Sequence, residues 1–211
     1  MIIERNKKFA LVFVLIGILN IAFSYYEGFI LGALWFCSTT IWFFALGLFL
    51  KNDFIISSTL TASFFIEFIW TLDYVSFIIT GNLLVGIAEY LLSASDLRMI
   101  ATLYHLAMFI FPIIAVFEIK KLHKYSWIGA SGYLAFIFVL TLILTKPGAN
   151  MNCVYRPCPI GIFDFLSTFY QYLAQIPIFI IHWAFLTIAI FIPTHYIFKK
   201  IVNWVVKDKK D

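Results

Sequence analysis

Four ionisable side chains interrupt otherwise apolar stretches of the sequence: Glu67 and Asp73 in one stretch, His105 in the next, and His182 near the C-terminal end. A charge placed in hydrocarbon is expensive, so each of the four marks a candidate site. An Asp beside a His stabilises the imidazolium or fixes its tautomer, which is what a general base or a metal ligand requires. Asp73 stands six residues before the end of its apolar run, and His105 and His182 each stand six residues after theirs begin. At the α-helical rise per residue, all three lie roughly 9 Å beneath one membrane boundary. The spacing therefore predicts a shared layer and an Asp73–His105 contact, either a clamp between helices or a functional pair. Glu67 lies deeper, near the midplane, with Trp70 and Tyr74 on its side of the helix at three- and seven-residue spacing. Were the pair catalytic, His105 would be the base, Asp73 its orienter, and Thr71 or a water the nucleophile.

The elements that position these groups follow from composition. The chain has 211 residues, 63% of them hydrophobic and 12% charged, with a mean hydropathy of +0.98. A soluble domain carries about 25% charged residues, so a water-facing globular body is excluded. Apolar runs long enough to span a bilayer cover 9–26, 29–50, 54–79, 99–117, 127–144 and 176–198. The fold class they predict is an all-α membrane protein: one transmembrane domain over 1–211, built as a six-helix bundle. Thr80-Gly81-Asn82 reads as a turn, and 83–94 is too short to cross, so it is expected to be a re-entrant or interfacial helix. The longest loop, 145–175, includes Asn150 and Asn152.

Basic residues concentrate in cytoplasmic loops. With the N-terminus inside, Arg5, Lys7, Lys8, Lys51, Lys120, Lys121, Lys124, Lys199, Lys200, Lys207, Lys209 and Lys210 share that side, and only Arg98, Lys146 and Arg156 lie outside. Both termini are then cytoplasmic, in the inner membrane of a cell. The tail 199–211 is expected to lie along the inner headgroups, and the 145–175 loop is extracytoplasmic. A rival reading takes the first run as a signal peptide cleaved after Ala22-Phe-Ser24; the sides of the later loops would not change. The net charge of +4 follows from this topology and requires no nucleic acid. Cys153 and Cys158 share the outer loop, where disulfides persist, and a local bridge is expected there. Cys37 is expected to pack mid-span as a small apolar residue, and His195 to be interfacial. No cofactor-binding motif and no metal site is visible: the Cys loop has no His, and phosphate-loop, His-Glu-x-x-His and Gly-x-Ser-x-Gly patterns are absent.

Several segments in order resemble one family: Trp70-Thr-Leu-Asp73 with Thr80-Gly81, Tyr104-His105 with Phe111-Pro112, Thr145-Lys-Pro147-x-x-Asn150-x-Asn152-x-Val154-Tyr155, and Pro193-Thr194-His195. These are similar to the patterned stretches of a family of small polytopic bacterial membrane proteins of unknown function. The resemblance implies membrane location and groups Asp73, His105, Asn150 and Asn152, but supplies no reaction. Cys153 and Cys158 depart from the pattern, so a bridge between them would be private to this chain. A second resemblance, at the level of six spans with a Thr–His pair, is to intramembrane lipid hydrolases, and is the source of the reading with Thr71 and His105.

The leading expectation is a polar pocket toward the outer leaflet, lined by Glu67, Trp70, Asp73, His105 and His182 and covered by the Asn150–Asn152 loop, binding a lipid headgroup or small solute. The alternatives are an intramembrane lipid hydrolase or acyltransferase using His105 and Asp73, a proton-coupled transporter relaying through Glu67 and Asp73, and a purely structural membrane protein. Membrane lipids are the expected partners.

Overall fold

The computed structural model describes residues 7–28, 30–93, 95–156 and 177–207. Among them every regular element is helical. The chain runs through α1 (Lys7–Tyr26), a 3-10 turn at Ile30–Leu34, α2 (Phe36–Leu50), α3 (Asp53–Thr80), a second 3-10 turn at Glu89–Ser93, α4 (Asp96–Ala101), α5 (Tyr104–Ile119), α6 (Ser126–Leu144), a third 3-10 turn at Met151–Cys153, α7 (Ile178–Phe185), a π turn at Leu186–Phe191 and α8 (Ile192–Lys207). Five stretches are long and apolar enough to cross a membrane: Lys7–Tyr26, Asp53–Thr80, Leu97–Ile119, Ser126–Leu144 and Ile178–Val206. The sixth apolar helix, α2, has 15 residues. The molecule is thus a helical membrane bundle.

Its burial is inverted relative to a soluble protein. Leu11, Leu15, Ile18, Ile78, Phe136, Ile143 and Ile188 are exposed, while Ser57, Ser58, Thr59, Thr61, Thr40 and Thr141 are buried. A bundle in lipid has no reason to hide leucine, and it associates through small side chains and interhelical hydrogen bonds. Such bonds join Ser131 to Thr187 at 2.9 Å, Tyr133 to Thr39 at 2.7 Å, and Thr61 to Ser126 at 2.9 Å, with Ser126 in turn 2.8 Å from His195 Nδ1. His195, expected at an interface, is buried by that contact. Close approach also needs missing side chains: a Cβ on Gly17 would lie 2.6 Å from the Trp42 ring, and one on Gly129 would collide with Ser58 and Phe54.

Helix limits follow local chemistry. Asn52 caps α3 by accepting from the Ile55 amide at 3.1 Å, and Gly81, at φ 74°, closes it in the left-handed conformation that glycine adopts freely. The expected single helix over 29–50 is instead divided at Trp35. The Asn152 carboxamide accepts from the Phe36 amide at 2.8 Å and donates to the Leu34 carbonyl at 2.8 Å. It thereby takes a donor and an acceptor that a continuous helix would pair with the Gly32 carbonyl and the Ser38 amide. The last long helix contains the π turn directly before Pro193, whose missing N–H cannot bond the carbonyl four residues earlier. That helix continues through 199–207 rather than turning onto a surface: Phe198 and Val202 are buried, and the Phe198 ring meets Phe64 edge-on at 4.7 Å.

Because successive long helices alternate in direction, α1, α3 and α6 finish at the end where α2, α5 and the last long helix begin. Lys51, Lys120, Lys121, Lys124, Lys199 and Lys200 all belong to the opposite end.

Candidate functional site

Glu67 occupies the middle of α3, and its carboxylate meets His105 at the start of α5: Oε2 and Nδ1 are 2.6 Å apart. Both are buried, at 1% and 4% exposure. The imidazole is stacked between two rings, Trp70 and Tyr104, each with its centroid 4.2 Å away and inclined by 17° and 26°. This sandwich fixes the ring plane, and the carboxylate fixes its rotation. A carboxylate accepting at Nδ1 keeps a proton there, and in the neutral imidazole the lone pair is then on Nε2.

The expected Asp73–His105 contact is not formed, and the His105 partner is Glu67. Asp73, 0% exposed, instead faces the segment after α3. Its Oδ1 accepts from the amides of Leu84, Val85 and Gly86 at 3.0, 2.6 and 3.3 Å, and its Oδ2 from Gly86 and Ala88 at 3.0 Å each. A carboxylate ringed by donors is well satisfied in low dielectric. The same bonds explain why, over 83–93, the segment is helical only at Glu89–Ser93: the amides of 84, 85, 86 and 88 are bound to a side chain instead of to carbonyls within the segment. Folded back along α3, this segment presents Tyr90, whose Oη accepts from Trp70 Nε1 at 2.9 Å. Burial pushes the Tyr90 phenol above its ordinary range, so it stays neutral.

His105 opens onto a cavity of about 530 Å³ at the end of the bundle remote from the lysine clusters, with Glu67 behind it. Trp70, Tyr90 and His105 line it, as do Trp35, Cys37 and Ser38 from the start of α2. Its walls are largely apolar, with Ile66, Leu134, Phe138 and Leu186 contributing. At its polar edge Arg98 lies 3.9 Å from Glu27, and Glu89 lies nearby on the lining. Known proteins give no precedent: the chain matches no family model, no curated protein and no solved structure.

The remaining candidates divide by role. Thr71 donates its hydroxyl to the Glu67 carbonyl at 2.7 Å and does not face the cavity. Asn152 lines the cavity, but its carboxamide is used on Phe36, Leu34 and the Thr141 hydroxyl, the last at 2.9 Å. Asn150 bonds the Arg156 carbonyl and the amides of Tyr155 and Arg156; with φ values of 40° and 53°, the two asparagines hold left-handed turns that this residue type tolerates. His182 lines the cavity, and its ring reaches the Cys153 backbone, which ties the last helix to the 151–153 turn. The expected Cys153–Cys158 bridge involves Cys158, which lies outside the described residues. Among the described residues no three His, Cys, Asp or Glu side chains gather as metal ligands would.

Cys37 is the cavity residue whose position differs most from expectation. It is a free thiol in the first turn of α2, half-buried rather than packed mid-span, and it lines the same cavity as His105. Tyr104 Oη donates toward its Sγ at 3.7 Å and lies 3.1 Å from Ser38 Oγ. No signal in the sequence marks it, because the break before Phe36 that brings Cys37 to a helix start is made by the distant Asn152.

Proposed function

We propose that the chain is a six-span inner-membrane protein, with both termini cytoplasmic, that binds the acyl portion of a membrane lipid in the cavity beside Glu67 and His105. The observation that carries this reading is the combination of a largely apolar cavity with a polar edge made by Arg98, Glu27 and Glu89. An acyl chain fits apolar walls, and a guanidinium beside carboxylates suits a zwitterionic headgroup. The basic split puts the cavity toward the outer leaflet, and α2 with its preceding turn makes the sixth crossing. At 15 residues, α2 alone spans only about 22 Å, so the Ile30–Leu34 turn that precedes it completes the crossing. Of the residues quoted for the family resemblance, Trp70 and Tyr104 stack on His105, and Asn152 lines the cavity with them.

Native mass spectrometry of the protein released from nanodiscs of phosphatidylethanolamine and phosphatidylglycerol tests the binding reading. The wild type should retain lipid, and Ala101→Trp, which fills the cavity from α4, should retain markedly less. Equal retention by both would reject the cavity as the lipid site.

A further inference from the structure

The geometry points to a covalent activity in this cavity: Cys37 is the nucleophile of an acyl transfer, with His105 as its general base and Glu67 as the residue that positions the base. The inference rests on the lipid-binding reading, since the acyl group must be delivered by the bound lipid.

Three independent features converge on Cys37. Its thiol shares the cavity with His105, whose Nδ1 is engaged by Glu67, so that the neutral imidazole carries its proton-accepting lone pair on Nε2. A nucleophile, a base and a group orienting the base form the recurring arrangement for acyl transfer, recognised by geometry and independent of fold. Tyr104 donates toward Sγ, a contact that favours the thiolate over the thiol. Finally, Cys37 sits in the first turn of α2, where the helix supplies no acceptors for its leading amides. The first of these, Phe36 N–H, is taken by Asn152. Those of Cys37 and Ser38 come next, beside the thiol, and a helix start both favours a thiolate and stabilises an oxyanion.

The step is a simple exchange. Sγ attacks the carbonyl carbon of the lipid ester as the thiol proton passes to His105 Nε2, and the carbonyl oxygen becomes an oxyanion at the first-turn amides. When the carbon–oxygen ester bond breaks, the lipid alcohol leaves with the proton returned from Nε2, and the acyl group remains on Cys37 as a thioester. Water, or an alcohol or amine, then attacks the thioester by the same route in reverse and restores the thiol. No oxidant, metal or nucleotide enters the balance. Thr71 has no part in it, its hydroxyl being bonded to its own helix.

The test uses the full-length protein in nanodiscs whose phosphatidylethanolamine and phosphatidylglycerol carry isotope-labelled acyl chains. Intact-mass and peptide mass spectrometry should find the labelled acyl group on Cys37, removable by neutral hydroxylamine, together with labelled free fatty acid. Cys37→Ala should abolish both while retaining bound lipid. His105→Gln should lower the rate of labelling at least a hundredfold, the usual scale of general-base catalysis. Because His105 is buried and that variant can fail to fold, Tyr104→Phe serves as a second, milder probe and should slow labelling severalfold. Glu67→Gln should alter the pH profile of labelling, a readout that a purely structural role would leave unmoved. Retained lipid with neither adduct nor released fatty acid would overturn the activity and leave the binding reading intact. Loss of lipid retention in the wild type would remove both. An adduct that survives Cys37→Ala would overturn the assignment of the nucleophile.

Discussion

Glu67 and His105, 38 positions apart in sequence, form a buried 2.6 Å contact in which the imidazole is stacked between Trp70 and Tyr104. Removing one member of a buried ionic or hydrogen-bonded pair leaves the other uncompensated, at a cost of about 3–5 kcal/mol. Glu67→Leu and His105→Leu should each lower thermal stability in detergent strongly. The double variant should lose less than the sum of the two, and a double-mutant cycle from melting curves measures the difference. Strict additivity would show that the two side chains are not coupled.

Asp73 holds one wall of the cavity through five backbone contacts. Asp73→Asn keeps one acceptor oxygen and sets an NH2 group against amide donors, so it should free residues 84–88. Hydrogen bonds to a charged group are worth about 1.5–3 kcal/mol each. Hydrogen–deuterium exchange should therefore rise sharply at 84–88 and little in α6. Unchanged protection at Val85 would contradict the role assigned to this carboxylate.

Asn152 ends one helix-like turn and starts the next. Asn152→Ala should destabilise by about 0.5–2 kcal/mol, the range for loss of a helix cap. Asn152→Asp should fall between, because it keeps the acceptor for Phe36 N–H and loses both donated bonds. Melting of the three proteins side by side gives the order, and an aspartate variant weaker than alanine would reverse the argument.

Gly129 permits α3 and α6 to touch. Gly129→Val should force Ser58 and Phe54 aside, with an overpacking penalty of about 1–3 kcal/mol, whereas Gly132→Ala, where a Cβ meets nothing, should be neutral. Chemical or thermal denaturation of both variants checks the contrast.

Topology is open to labelling. In a background with Cys37, Cys153 and Cys158 replaced by serine, Asn82→Cys should react with an impermeant maleimide in intact cells, and Lys124→Cys only after lysis. The reverse pattern would invert the bundle.

Much of this architecture is legible in the residues. The apolar runs place the long helices, Asn52 and Gly81 mark the limits of α3, and Glu67 and His105 stand out as costly groups in hydrocarbon. What misleads is the depth count. It assumes that the run ending at 79 and the run beginning at 99 stop at one level, but the 82–93 segment folds back along α3 and lowers the start of α5. His105 then meets the carboxylate nearer the midplane rather than the one six residues further on. Glu67 and Asp73 also point in different directions, since six residues advance a helix by one and two-thirds turns. Cys37 is hidden for another reason: its environment depends on Asn152, 115 positions away, splitting an apolar run that has no breaker at the decisive residue. No local pattern announces a cap supplied from across the chain.

The polar bonds between helices have a consequence for assembly. In lipid, two greasy cylinders can slide along or spin against each other with little penalty, because every register offers similar contacts. The pairs Ser131–Thr187, Thr39–Tyr133 and Thr61–Ser126–His195 work like teeth on a rack: each can mesh at one axial offset, and a slip of a single turn disengages them together. The helices of this bundle can therefore be inserted one by one and still lock at a common alignment, which is the alignment that brings Glu67 level with His105.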